Sequence, residues 1–116
     1  MTANENLEIA RRIAEDIEEL MNGETPSNWN DGEPMGVCEW LEDALDIEVT
    51  HSLNGSYLGC RVCICCGGPN IFIDTRKEVV DVYWGFHHAD WCISRDFCNE
   101  LDCIIEDYAR DSFCVA

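Results

Sequence analysis

A chain of 116 residues, 47% of them apolar, can build one hydrophobic core, and nothing in it suggests two domains. Its formal charge of −17, from 24 Asp and Glu against seven Lys and Arg, argues against direct nucleic-acid binding, since that affinity comes from basic side chains neutralising phosphates. No apolar run reaches the roughly 18 residues of a membrane span, and Met1-Thr-Ala-Asn-Glu-Asn6 lacks the basic and apolar stretches of a signal peptide, so a cytoplasmic protein is expected.

Asn4 to Met21 reads as an amphipathic helix, with Leu7, Ala10, Ile13, Ala14, Ile17, Leu20 and Met21 at helical spacing. Asn4 is the expected N-cap, Asn22-Gly23 the stop, and Glu8–Arg12 a favourable i,i+4 pair. Residues 24–36, with Pro26, Pro34, Gly32 and Gly36, read as a loop in which Trp29 packs back onto the core. A second helix is expected from Val37 to Asp46. Val37, Trp40, Leu41, Ala44 and Leu45 face inward there, and Glu39, Glu42, Asp43 and Asp46 form an outer acidic stripe.

The period then changes to two. Ile47, Val49, His51 and Leu53 alternate with polar residues, and Asn54-Gly55 is a strong hairpin signal. Tyr57 to Cys66, apolar on both faces apart from Arg61, reads as an inner strand. Gly67-Gly-Pro-Asn70 turns the chain into Ile71–Asp74, and Asp74 to Glu78 turns it again into Val79–Trp84. Gly85 to Ile93 reads as irregular and aromatic-rich, with His87 and His88 in a loop. Ser94 caps a last helix that buries Phe97, Leu101, Ile104, Ile105 and Tyr108, while Asn99, Asp102, Cys103, Glu106 and Arg110 look outward. The expected fold is α+β: a single domain over residues 1–116 with a four-stranded antiparallel meander, two N-terminal helices and one C-terminal helix.

Nine cysteines invite a metal reading. Cys63-Ile-Cys-Cys66 carries a C-x-x-C, and His87, His88 and Cys92 are the candidates for a second pair of zinc ligands. No second C-x-x-C exists, and free cysteine behaves as a small buried hydrophobe, so buried thiols are the preferred reading and no metal or cofactor is expected. Cys103, on the outward face, is the thiol to watch for oxidation. Neither cysteine–histidine pairs nor paired carboxylates single out a catalytic set, and no enzyme activity is expected.

The acids are unevenly placed. Residues 1–58 carry fourteen acids and two bases, and no Lys or Arg occurs between Arg12 and Arg61. Over the ~35–40 Å expected for such a domain, duplex DNA shows about 20 negative charges. That similarity makes a protein partner with a basic, nucleic-acid-reading groove the expected class, bound through Glu15, Glu19, Glu39, Glu42, Asp43, Asp46 and Glu48. Trp84 and Trp91 are alternative contact points, with burial as the default.

Trp40-Leu-Glu-Asp-Ala-Leu-Asp-Ile-Glu48, Cys66-Gly-Gly-Pro-Asn-Ile-Phe-Ile-Asp-Thr75 and Tyr83-Trp-Gly85 resemble segments of small acidic proteins carried by phages and other mobile elements of gut Firmicutes. The resemblance spans about residues 40–108 and transfers no functional residue; Cys60, Cys63 and Cys65 fall outside its pattern. It implies a counter-defence role of the anti-CRISPR or anti-restriction kind, an inhibitor of a nuclease in the bacterial host's cytoplasm. A zinc-stabilised adaptor and an accessory protein of the mobile element are the alternatives.

Overall fold

The computed structural model describes residues 3–23 and 36–113. The elements run α1 (Ala3–Met21), α2 (Val37–Leu41), β1 (Asp46–His51), β2 (Tyr57–Cys65), β3 (Asn70–Asp74), β4 (Val79–Trp84), β5 (His87–Cys92) and α3 (Arg95–Phe113). The α+β class stands, but the sheet has five strands in the order β1-β2-β3-β4-β5, all antiparallel. The expected loop at 24–36, Trp29 included, lies outside the described residues apart from Gly36.

The additional strand comes from the stretch expected to be irregular. Trp84 pairs with His87 across a two-residue loop, Gly85-Phe86. Gly85 has φ 63°, the left-handed backbone that a type II′ hairpin needs at its first central position. The second helix is shorter than expected: Glu42 and Asp43 form a turn, Leu45 is exposed, and Asp46 opens β1. Glu39 reaches back to accept the Gly36 N–H at 2.7 Å, the carboxylate half of a capping box.

Strand alternation sends Cys60, Val62, Ile71, Ile73, Val80 and Val82 to one face, where α1 lies across β4 and β5 and α3 lies against β2 and α2. From the helices, Ala10, Ala14, Ile17, Leu20, Phe97, Cys98, Leu101 and Ile105 complete the core. Phe97 is wholly buried and meets Trp40 of α2 edge to face, ring centroids 5.2 Å apart. Three helical expectations change. Asn6, not Leu7, is buried at the start of α1; Cys98 joins the buried face of α3; and Tyr108 is exposed. Arg11, not Arg12, makes the ion pairs of α1, with Glu8 and Glu15.

The ends of the strands are fixed by side chains. The β1–β2 loop starts at Ser52, one residue after a register shift at Thr50/His51, so Leu53 is fully exposed and not part of the strand. At the β3–β4 turn, Asp74 Oδ1 accepts the N–H groups of Arg76 (3.0 Å) and Lys77 (3.1 Å). Thr75 clamps that turn to β2: its Oγ1 accepts the Cys60 N–H at 2.9 Å, and its own N–H donates to Cys60 O at 3.0 Å. Ser94 Oγ accepts the Phe97 N–H at 3.3 Å, the expected cap of α3. No described helix is long and apolar enough to cross a membrane.

Candidate functional site

The seven acids expected to bind a partner are all exposed, but the fold divides them. Glu15 and Glu19 sit on α1, above β4 and β5, and Glu15 is paired with Arg11. The other five occupy α2, the following turn and β1, at the opposite edge of the sheet. Among the described residues, none of these five makes an ion pair. Glu42 stands at the C-terminal end of α2, where a negative charge opposes the helix dipole. Apart from Glu39, whose carboxylate accepts the Gly36 N–H at the start of α2, these acids are not engaged by local ion pairs among the described residues.

Beside them is an apolar groove of about 280 Å³ lined by Cys38, Leu41, Glu42, Ile47, Ile104 and Tyr108, with Ile105 at its base. Leu45, Ile47 and Tyr108 are exposed. An apolar centre rimmed by charge is the anatomy of a protein-binding surface. Helical periodicity alone conceals it, because Leu45 and Tyr108 sit at positions that look inward on a helical wheel.

The sheet face away from the helices is polar, and alternation places on it Glu48, Arg61, Phe72, Asp74, Asp81, Tyr83, His88 and Asp90. Arg61 crosses above β3 with its guanidinium 3.7 Å from the centre of the Phe72 ring, a cation–π contact. Its nitrogens lie 4.0 Å from Asp74 and 3.8 Å from Asp81. Glu48 lies opposite Arg61 in the β1–β2 ladder, and both line a depression of about 370 Å³ with Thr50, Asp74, Arg76 and Lys77. The charge of Glu48 is therefore offset by basic neighbours, unlike the charges of Glu42 and Asp43.

Further along this face, Asp81 is 1% exposed and pairs in register with Asp90. His88 is part of β5, not a loop residue: its ring stacks on Tyr83 at 4.3 Å, and its Nε2 is 3.0 Å from Asp81 Oδ1. Among the described residues, Asp81, His88 and Asp90 are the metal-type donors that converge. Cys63 and Cys66 are not part of such a group. The aromatic stretch Tyr83–Trp91 is neither wholly core nor wholly surface, since Tyr83 is half-buried, Trp84 and Trp91 are exposed along one side, and Phe86 projects from the hairpin tip. The sequence signal for this cluster was the glycine-first loop at Gly85-Phe86, which folds Asp81 onto Asp90.

The thiols divide by burial. Cys60, Cys63 and Cys98 are buried, and Cys38, Cys66, Cys92 and Cys103 are exposed. Burial pushes the Cys98 thiol up to about 12, helped by the negative charges of Glu78 and Asp102, and burial raises Cys60 and Cys63 too. Since the thiolate is the nucleophile, alkylation of the native protein followed by peptide mapping is expected to mark the four exposed cysteines first. Cys60, Cys63 and Cys98 are expected to react only in denaturant. A raised folded pKa stabilises the fold below the unfolded thiol value and is lost above it, so stability should fall as pH climbs from about 9 towards about 12. Asp102, expected to look outward, instead accepts the Tyr57 hydroxyl at 2.6 Å and ties α3 to β2. Burial, together with that hydrogen bond, raises the Tyr57 pKa.

No family model matches the chain, and no curated protein or solved structure matches it.

Proposed function

We propose that this protein is a binding inhibitor, not an enzyme. In this reading it covers a basic, nucleic-acid-reading groove on a nuclease of a bacterial host, in the counter-defence role that its resemblance to mobile-element proteins implies. The observation that carries the proposal is the run Glu39, Glu42, Asp43 and Asp46. These four carboxylates are exposed within eight residues and have no ion-pair partner among the described residues. Glu48 extends the run towards Arg61, and the groove beside Ile47 and Tyr108 supplies apolar contact. Glu15 and Glu19 belong to a separate surface.

The mimicry is of a local patch, not of a whole duplex. The longest axis of the molecule is 47 Å, over which duplex DNA would present about 28 charges. The formal charge of −17 falls well short of that. Where the acids concentrate, the density is far higher than the average, and attraction to a basic groove should speed association.

The test uses a panel of purified nucleic-acid-handling nucleases, including guide-loaded CRISPR effectors and restriction enzymes. One of them is expected to bind this protein, to lose it to competing duplex DNA, and to hold it at least about ten-fold more weakly at 200 mM than at 50 mM salt. Binding that ignores both salt and DNA would refute a groove-covering role.

A further inference from the structure

On the helix-free face of the sheet, β4 and β5 set two aspartates directly opposite each other, Asp81 against Asp90. Like charges paired across strands are destabilising, and here one of the two is buried. Asp81 Oδ2 is inaccessible and has no hydrogen-bond partner among the described residues. The nearest cation, Arg61, stays 3.8 Å from that oxygen, held over the Phe72 ring and shared with Asp74. Asp81 and Asp90 together carry two formal negative charges on adjacent strands, and Arg61 is shared between Asp81 and Asp74.

We propose that Asp81, His88 and Asp90 bind one divalent first-row transition-metal ion. Their donor atoms lie within 4.8 Å of one another, and a divalent ion would match the formal charges of the two paired aspartates. His88 Nε2 and Asp81 Oδ1 are 3.0 Å apart. Two ligands bound at about 2.1 Å and at right angles are separated by about 3.0 Å, so the geometry suits a six-coordinate ion of that size. Calcium, with bonds of about 2.3–2.6 Å, would need a wider pair. The imidazole moves the preference from magnesium towards the transition metals.

The surroundings are those of a built site. Tyr83 stacks on the His88 ring, with 16° between the planes, and fixes its orientation, the role that outer contacts play at metal ligands. Asp81 is fixed by burial, while Asp90 is exposed and free to close onto an ion from the solvent side. Three protein ligands leave the outward positions to water or to a donor from a partner.

The experiment is titration of chelator-treated full-length protein with Mn²⁺, followed by loss of the free-ion EPR signal. About one tightly held ion per chain is expected, with zinc displacing it more strongly than manganese binds. Asp90→Asn and His88→Gln should each weaken uptake at least about ten-fold. Glu100→Gln, which removes the same unit charge from the exposed face of α3, should leave uptake unchanged. Melting temperature is the second readout: the ion should raise it in the unmodified protein and not in Asp90→Asn. Equal uptake by all the variants would mean ions spread over the acidic surface, and would overturn the site. So would no uptake, or a preference for calcium or magnesium.

Discussion

Phe97→Ala is expected to be the most damaging single substitution in the described core, lowering stability by about 3–5 kcal/mol. Phe97 is fully buried where α3 meets α2 and the sheet, and its ring meets Trp40 edge to face at 5.2 Å. Truncation removes the buried area, leaves a cavity, and deprives Trp40 of a contact worth about 0.5–1.5 kcal/mol. Small domains are stable by only about 5–15 kcal/mol, so the loss is a large fraction of the total. The melting midpoint should fall by on the order of 10–25 °C. Phe97→Leu should fall by about half as much, because it keeps most of the volume. Leu53→Ala, at a fully exposed loop position, should stay within about 0.5 kcal/mol of the parent. A cost for Phe97→Ala below about 1 kcal/mol would mean that α3 is not seated on the sheet as described.

Much of this core was legible because it obeys simple periods. The apolar faces of α1 and α3, the Ser94 cap and the strands β2 to β4 follow from spacing and turn chemistry alone. What the sequence obscured has physical causes. β5 reads His-His-Ala-Asp-Trp-Cys, and its outward positions, His88 and Asp90, carry a polar cluster where a hydrophobic alternation would have shown a strand. Asn6 is buried without a hydrogen-bond partner among the described residues, something no propensity rule would place in a core. Leu45 and Tyr108 look like inward residues on a helical wheel. The chain leaves α2 after Leu41, however, and Tyr108 lines the open groove it shares with Ile47, so both become surface. The acidic residues were easy to find by composition. Which of them share a surface depends on the strand order, which composition does not contain.

That division makes the charge reversal of Glu42, Asp43 and Asp46 to lysine the sharper functional test. The triple variant changes the formal charge from −17 by six units without touching a buried side chain. Folding should be unharmed, since self-repulsion is relieved and a lysine at position 42 suits the C-terminal end of α2. Binding should behave in the opposite way. Close charge pairs at protein interfaces are coupled by about 1.5–7 kcal/mol, so three reversals against a basic groove should cost at least about 100-fold in affinity and flatten its salt dependence. Neutral replacement by Gln and Asn should cost less, because it removes attraction without adding repulsion. Glu15 and Glu19 reversed together are the control that separates the two acidic surfaces. Placed above β4 and β5, with Glu15 already engaged by Arg11, they should change affinity by less than about five-fold through the long-range field alone. If the α1 pair proves as damaging as the α2–β1 triple, the inhibitor engages its partner with the helical side of the molecule. If neither matters, the acids serve solubility and binding through an anionic surface is wrong.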